Sequence, residues 1–308
     1  MKISLRQAYS FILLGKRSNQ EDSRFPDMDV LPPNQRFFIV CDGVGGHAKG
    51  EVASGLVANT IGSALMQFDW SKDFTNADFG RALDKAYNAL DANAANNNHD
   101  MATTMVLAAF HGSGMTLAHI GDSRIYHIRP DDGIIYRSDD HSMVNTMVHN
   151  GMITPDEAET DKRRHIITRY MSPTDADQTR CMATVLQTAD VKDGDYVFLC
   201  SDGVLQSIDD EMLIDIMGNA TSDEQIIAQM RERCQASSDN STAILIHVDH
   251  VEYADGAGAL RHGNADGNTI RCDNNEAGVV NIASTLRTNP YKPKCGILSF
   301  LKRIFGIK

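Results

Sequence analysis

Apolar runs and segments with helical spacing alternate along the first 250 residues of the chain. Helical spacing over 50–68 and 77–91 predicts two consecutive helices, and a second pair is predicted near 209–217 and 223–235. The residues Thr221 to Glu224 predict a capping box at the start of the last helix. Paired helices between runs of strands favour an α+β layered domain over a βαβ repeat. Six apolar, β-rich segments predict buried or half-buried strands, near 36–41, 103–110, 115–120, 124–129, 195–200 and 242–248.

The pattern stops at about residue 250. Residues 251–290 are rich in Gly, Ala, Asn and Asp without an apolar period, which predicts a disordered linker. Residues 291–308 combine helical apolar spacing with a basic opposite face, so we expect this tail either to contact an acidic membrane surface or a partner protein, or to pack on the rest of the chain. The charge divides at the same place, with 36 acids and 21 bases in 1–250 against 5 acids and 8 bases in 251–308.

Composition narrows the class of protein. The formal net charge of −12 argues against a sequence-independent nucleic-acid binder, which needs a basic surface. The six cysteines form no Cys-x-x-Cys pair and the N-terminus lacks the apolar run of a signal peptide, which predicts a reducing, cytoplasmic location. The apolar runs are too short to span a bilayer and predict buried strands.

Candidate chemistry lies at the strand ends. Each of four aspartates lies at the end of a predicted strand, beside a turn residue; they are Asp42, Asp122, Asp202 and Asp239. If these ends meet at one edge of a sheet, the carboxylates repel one another unless a cation lies between them. An all-carboxylate set selects a hard ion, Mg²⁺ or Mn²⁺, rather than Zn²⁺. For any single aspartate, ordinary turn chemistry is the competing interpretation.

These residues belong to a longer series of motifs. From residue 17 to residue 246 the chain resembles the metal-dependent serine/threonine protein phosphatases of the type 2C class, and most of all the bacterial members. Each motif is weak alone, but eight in the family's order are specific. The segments are RSNQEDS, FFIVCDGVGGH, ATTMVLA, AHIGDSRIYHI, DDHSMV, RRHIITRYM, GDYVFLCSDGV and DNSTAILI.

The resemblance implies an α-β-β-α sandwich, with two central antiparallel sheets flanked by helix pairs. It implies a catalytic domain over 1–250, with a flap at about 142–169 beside the active site. It also implies two divalent cations, Mn²⁺ or Mg²⁺, and a set of site residues. Asp42 bridges the metals and orients the water, Gly43 offers its carbonyl, and Asp202 and Asp239 complete the coordination. Glu21 and Asp22 bind metal-coordinated waters, and Arg17 grips the substrate phosphate.

At some positions of the matched motifs the interpretation stays open or the residue differs from the family pattern. Val44 stands where well-known eukaryotic members have a histidine proposed as the general acid, so the proton donor is unassigned; His47 is either that donor or a turn-packing residue. Gln206 replaces a frequent aspartate, which weakens a third metal site for which Asp122 and Asp202 remain. The serines within matched motifs are interpreted as structural; they are Ser123, Ser142 and Ser201.

The function implied by the resemblance is hydrolysis of phosphoserine and phosphothreonine in proteins by a metal-activated water, by a monomer that opposes a serine/threonine kinase. One alternative is a catalytically weak member that binds phosphoproteins as a regulatory module. Another is a hydrolase of small phosphate esters that uses the same site. The basic run at 162–164 is either a solvated charge run or a surface that attracts phosphorylated substrates.

Overall fold

Seven strands form the first sheet of the fold. The computed structural model describes residues 1–44, 49–97, 100–174, 179–253 and the backbone of 279–281. The strands of this sheet are β1 (Lys2–Leu5), β2 (Ala8–Leu13), β4 (Val30–Leu31), β8 (Arg124–Arg129), β9 (Gly133–Arg137), β11 (Tyr196–Cys200) and β12 (Ser241–Glu252). They pair antiparallel in the order β4-β2-β12-β11-β8-β9, and β1 pairs with the far end of β12.

Six strands form the second sheet. They are β3 (Ser23–Phe25), β5 (Phe37–Cys41), β6 (Met105–His111), β7 (Gly114–Ile120), β10 (Ala183–Thr188) and β13 (Val279–Asn281). Their order is β13-β10-β7-β6-β5-β3, and all pairs are antiparallel except β10 with β13. Strand β13 lies inside the segment predicted as a linker; the rest of that segment beyond residue 253, and all of the tail 291–308, lie outside the described residues.

Helices cover both outer faces of the two sheets. Helices α1 (Gly50–Leu65) and α2 (Asn76–Asn97) pack on the second sheet, and α6 (Asp210–Asn219) and α7 (Asp223–Cys234) pack on the first. The short helix α5 (Asp202–Leu205) follows β11, while α3 (Met143–His149) and α4 (Pro155–Thr160) lie in the predicted flap. The predicted four-layer sandwich and both of its helix pairs are therefore confirmed.

Strand β5 shows why the sequence places apolar residues on both faces of the central sheets. Its five residues are all buried. Phe37, Ile39 and Cys41 pack towards the helices, whereas Phe38 and Val40 pack into the layer between the sheets. Since successive side chains of a strand point to opposite faces, a strand covered on both sides needs a continuous apolar run.

The predicted capping box at Thr221 is wrong by one residue. Ser222 is the N-cap of α7 and its side chain accepts a hydrogen bond from the backbone N–H of Gln225. Thr221 lies outside the helix, where its N–H and hydroxyl both bond the Gln225 side chain. Ser222 has the extended backbone from which a side chain can reach the third N–H of the helix. Among the described residues, no helix combines the length and the apolar character needed to cross a membrane.

Candidate active site

Asp42 directly follows β5 and is held there by two threonines that precede β6. The Thr104 N–H and the Thr103 hydroxyl both donate to the Asp42 carbonyl, at 2.8 Å each. The Asp42 N–H donates to the Thr104 hydroxyl at 3.0 Å. Gly43, the next residue, lies so close to Gly50 that an added Cβ would come 2.6 Å from the Gly50 carbonyl carbon. The backbone of Asp42 is therefore held in place by contacts that do not involve the Asp42 side chain.

Three carboxyl groups lie near one another at this edge of the sandwich. The Asp42 carboxyl lies close enough to those of Asp22 and Asp202 for both charges to raise its pKa. Asp202 begins α5 directly after β11, and Asp22 precedes β3. Asp22 is only 4% exposed; its Oδ2 accepts a hydrogen bond from the Ser201 hydroxyl at 2.8 Å, and its Oδ1 accepts none from the described residues. The fold thus gathers aspartates that lie 20 and 160 residues apart in sequence.

The proximity of these carboxyls changes their affinity for protons. Burial, followed by the neighbouring charge of Asp202, raises the pKa of Asp22 to about 7. Burial, Asp202 and Asp140 raise the pKa of Asp122 to about 8. The pKa of Asp42 is also raised well above its ordinary value, first by burial and then by Asp22. Within the described part of the chain none of these aspartates forms a direct ion pair with Arg, Lys or His, and burial with the neighbouring carboxylates outweighs the charge of Arg124 at Asp122.

Arg17 and Asp239 lie at the rim of this cluster. Their Nη2 and Oδ2 atoms are 2.6 Å apart, and Arg17 remains 45% exposed. The hydrogen bond to Asp239 raises the pKa of Arg17 still further above its ordinary value. Asp239 in turn raises the pKa of Asp202, after burial, which places the two carboxylates close together. The structure therefore joins the predicted phosphate-binding arginine to a predicted metal ligand.

Asn240 orders the segment that carries Arg17 and Glu21. Its side-chain Nδ2 donates to the carbonyls of Leu14 and Asn19, at 2.9 and 3.1 Å. Its Oδ1 accepts a hydrogen bond from the Glu21 N–H at 2.9 Å. Sequence reasoning did not single out Asn240, Thr103 or Thr104, although all three lie in the matched motifs. Each holds backbone of the site in place.

The donor set fits a hydrated divalent cation rather than a closed metal cage. Among the described residues, no three His, Cys, Asp or Glu side chains are grouped closely enough to hold an ion by themselves. Mg²⁺ and similar hard ions, however, keep several waters and take only one or two carboxylates from the protein. The unmet Oδ1 of Asp22 and the uncompensated repulsion among three aspartates are what such an ion would relieve. Of the predicted ligands, Asp22, Asp202 and Asp122 lie near Asp42, Asp239 lies near Asp202, and Glu21 lies near Arg17 and Asp239.

The predicted flap joins the site at His141. The His141 N–H donates to the Gly121 carbonyl at 2.9 Å, and the His141 ring Nδ1 accepts from the Gly121 N–H at 3.1 Å. The N–H of Thr168, at the other end of the flap, donates to the His141 carbonyl at 2.7 Å. Both ends of the flap are therefore tied beside the turn that carries Asp122. The alternative proton donor His47 lies outside the described residues.

The basic run of the flap is largely occupied by its own neighbours. Arg163 makes two hydrogen bonds to the Asp161 carboxylate, at 3.0 and 2.7 Å. Arg164 donates to the carbonyl of Glu159 at 2.8 Å. These contacts favour the solvated charge run over a surface held ready for phosphorylated substrates.

Comparisons with known proteins agree with this geometry. The family model described as Protein phosphatase 2C matches residues 18–245. The chain is 33% identical over 207 residues to the serine/threonine protein phosphatase PstP of Mycobacterium tuberculosis, an alignment that covers 65% of this chain and 36% of PstP. It is 29% identical over 253 residues to a putative 2C-type protein phosphatase of Streptococcus pyogenes, covering 80% of this chain and 97% of that protein. The match thus spans about a third of PstP but nearly all of the streptococcal relative.

Solved structures give the same result. The crystal structure of the Mycobacterium tuberculosis serine/threonine phosphatase PstP superposes with a TM-score of 0.68 at 28% identity, covering 80% of this chain and all of that one. A structure of the PstP catalytic domain in complex with two manganese ions has a TM-score of 0.63 at 28% identity, covering 80% of this chain and all of that one. The resemblance predicted from eight motifs is therefore confirmed, and the chain belongs to the protein phosphatase 2C family.

Proposed function

We propose that this protein hydrolyses phosphoserine and phosphothreonine in proteins, using a water activated at a centre of two divalent cations, and that it thereby opposes a serine/threonine kinase. The observation that carries the proposal is the cluster of Asp22, Asp42 and Asp202, whose carboxyls lie near one another and form no ion pair with the described residues. The names of the relatives and the manganese-loaded PstP structure support it.

The residues around the cluster would hold Mn²⁺ or Mg²⁺. Asp42 would lie between the two ions, Asp202 and Asp239 would complete the carboxylate set, and the Gly43 carbonyl would add a neutral oxygen. Glu21 and Asp22 would act through bound waters. Bound there, the ions would lower the pKa of a water and neutralise charge on the phosphoryl group.

Arg17 is suited to bind the phosphate. A guanidinium can offer two parallel N–H donors to two phosphoryl oxygens, which fixes the orientation of the group as well as its position. Arg17 is accessible, because it is 45% exposed, and its contact with Asp239 aims it at the cluster. A phosphate that displaces part of that contact would therefore meet an arginine already in place.

We also keep a third, weaker cation site at Asp122 and Asp202 in the proposal. The charge of Asp202 contributes to the raised pKa of Asp122, which supports their proximity. Residues 1–250 are proposed as the catalytic domain of a cytoplasmic monomer. The amphipathic tail 291–308 remains predicted to contact a membrane surface or a partner, or to pack on the domain.

The test compares wild type with Asp202→Asn on a phosphothreonine peptide and on p-nitrophenyl phosphate, with Mn²⁺ titrated into each reaction. We expect Asp202→Asn to lose about a hundredfold or more on both substrates, since it removes a charged ligand of the centre. Asp215→Asn, the same substitution on the exposed side of α6, is the matched control and should behave as wild type.

Three outcomes would contradict the proposal in different ways. Full activity of Asp202→Asn would remove the metal assignment. Hydrolysis of p-nitrophenyl phosphate without hydrolysis of phosphopeptides would favour a small-ester hydrolase. Phosphopeptide binding by wild type without turnover at any Mn²⁺ concentration would favour the regulatory module.

A further inference from the structure

Helix α5 begins at a serine whose hydroxyl does not cap it. Ser201 is the N-cap residue, with φ −75° and ψ 166°, yet its side chain makes no capping hydrogen bond. At the starts of α3, α4 and α7, the N-cap residues Ser142, Thr154 and Ser222 all accept a hydrogen bond from the N–H three residues ahead. Capping is the usual use of a hydroxyl in this position, so another contact must compete successfully for that of Ser201.

The competing contact is the carboxylate of Asp22. Ser201 is fully buried, and its Oγ donates to Asp22 Oδ2 at 2.8 Å. The same Oγ accepts a hydrogen bond from the backbone N–H of Thr242 at 2.9 Å. Because a backbone N–H can only donate, the single proton of the hydroxyl is left for Asp22. The direction of both bonds is therefore settled by the chemistry of the partners.

The backbone of Ser201 is held as firmly as its side chain. Its N–H donates to the Thr242 carbonyl at 2.9 Å, so residues 201 and 242 are joined both through the backbone and through the hydroxyl. Asp22 comes from a different part of the chain, 179 residues away. Ser201 thus ties the Asp22 carboxylate to the rigid ends of two central strands, β11 and β12.

We propose that Ser201 is a positioning residue for the cation centre: it holds one oxygen of Asp22 so that the other, Oδ1, faces the cluster. Oδ1 is the buried oxygen that accepts no hydrogen bond from the described residues, and Asp22 lies near Asp42, whose pKa its charge raises. With Oδ2 held by Ser201, the plane of the carboxylate cannot turn away. The inference rests on the proposed function, and it gives a specific role to a serine that its sequence context alone marks as structural.

The test measures Mn²⁺ binding to the full chain by isothermal titration calorimetry, independently of turnover. We expect Ser201→Ala to weaken Mn²⁺ affinity by about 10- to 100-fold, the usual effect of removing a partner that orients a metal-binding group. Ser222→Ala is the control, because it removes an exposed serine that does cap its helix. It should lower the thermal unfolding midpoint and leave Mn²⁺ affinity unchanged.

A double-mutant cycle separates positioning from a merely structural role. In an Asp22→Asn background, Ser201→Ala should have no further effect on Mn²⁺ affinity, because the carboxylate it orients is gone. A structural serine would instead weaken binding equally in both backgrounds, which would overturn the inference. Ser201→Cys, which keeps the size of the side chain but donates weakly, should fall between wild type and Ser201→Ala and serves where the alanine variant does not fold.

The proposed function and this inference fail in distinguishable ways. If wild type binds no Mn²⁺, the proposed function is wrong and the inference falls with it. If wild type binds Mn²⁺ and hydrolyses the phosphopeptide, but Ser201→Ala and Ser201→Cys bind Mn²⁺ as tightly as wild type, only the role of Ser201 is wrong.

Discussion

Buried aspartates at the two ends of strand β11 have opposite electrostatic surroundings. Asp195, immediately before the strand, is completely buried and accepts hydrogen bonds from Arg129 at 2.8 and 2.9 Å and from His127 at 2.8 Å. Burial alone would raise the pKa of Asp195, but these bonds outweigh it and the pKa is lowered. After the strand, Ser201 binds Asp22, which is almost as buried and whose pKa is raised to about 7, chiefly by burial.

The difference shows how to distinguish a structural carboxylate from a functional one. At Asp195 the chain supplies the cation, so the charge is compensated within the fold. At Asp22, Asp42 and Asp202 the described residues form no direct ion pair, although the charge of Arg17 reaches Asp202. We propose that a bound cation supplies the compensating charge there. The two environments are about 20 Å apart along an extended strand, far enough for substitutions to act independently.

The largest change in the free energy of unfolding is expected from Asp195→Ala. Removing the buried partner leaves Arg129 with only the exposed carboxylates of Asp190 and Asp132. Breaking a buried ion pair in this way costs about 3 to 5 kcal/mol of unfolding free energy. Urea denaturation measures the loss. Mn²⁺ affinity of the fraction that remains folded should equal that of wild type. A loss below about 1 kcal/mol would mean that Asp195 is not the structural anchor that its four hydrogen bonds indicate.

Asp42→Asn should change the free energy of unfolding in the opposite direction and stabilise the metal-free protein. In EDTA the substitution removes one of several repelling carboxyls, so we expect the metal-free protein to gain about 2 kcal/mol of unfolding free energy. The same variant should lose Mn²⁺-dependent hydrolysis. Urea denaturation with and without Mn²⁺ checks both statements, with Asp215→Asn as the control that changes neither. Destabilisation of the kind expected for Asp195→Ala would show that Asp42 is compensated by a contact of the chain.

The difference between the paired Asp195 and the aspartates of the site could not be predicted from the sequence. Gly194-Asp195 and Asp202-Gly203 are equivalent turn dipeptides at the two ends of one strand. What separates them is His127 and Arg129, which lie 68 and 66 residues away from Asp195 on the neighbouring strand β8. The antiparallel pairing of β8 with β11 brings His127 and Arg129 to Asp195, whereas Arg124, opposite Cys200 at the other end of β11, is paired with Asp140.

The predicted and missed elements differ in how they are stabilised. The central strands β5, β6, β7, β11 and β12 were predictable because burial on both faces demands continuous apolar runs. Strands β2 and β10 mix apolar with polar residues, so their sequences alone do not favour a strand. Pairing with Ser241–Leu245 and with Met115–His119 stabilises them in the sheets. Likewise the aspartates of the site stand out at strand ends, whereas Asn240 and Ser201 look like ordinary turn and cap residues until their partners are known.

The pH dependence of stability should also distinguish Asp122 from Asp195. In the metal-free protein the pKa of Asp122 is about 8, raised chiefly by burial, against an ordinary value near 3.8. Between pH 5 and pH 7 the folded state therefore holds a proton on Asp122 that the unfolded state has lost, and this contribution to stability falls as the pH rises. The slope is about 1 kcal/mol per pH unit. Asp195 contributes no slope in this window, because its lowered pKa confines its titration to more acidic solutions.

Buried histidines titrate in the same window with the opposite sign, so the useful quantity is a difference between variants. Burial lowers the pKa of His111 to about 4, and the unfolded state therefore binds a proton there between pH 4 and pH 6.5. Asp122→Asn leaves that histidine unchanged. In EDTA, the free energy of unfolding of Asp122→Asn relative to wild type should rise by about 1 kcal/mol for each unit from pH 5 to pH 7. A flat difference would place Asp122 with the compensated aspartates, together with Asp195, and would remove it from the proposed third cation site.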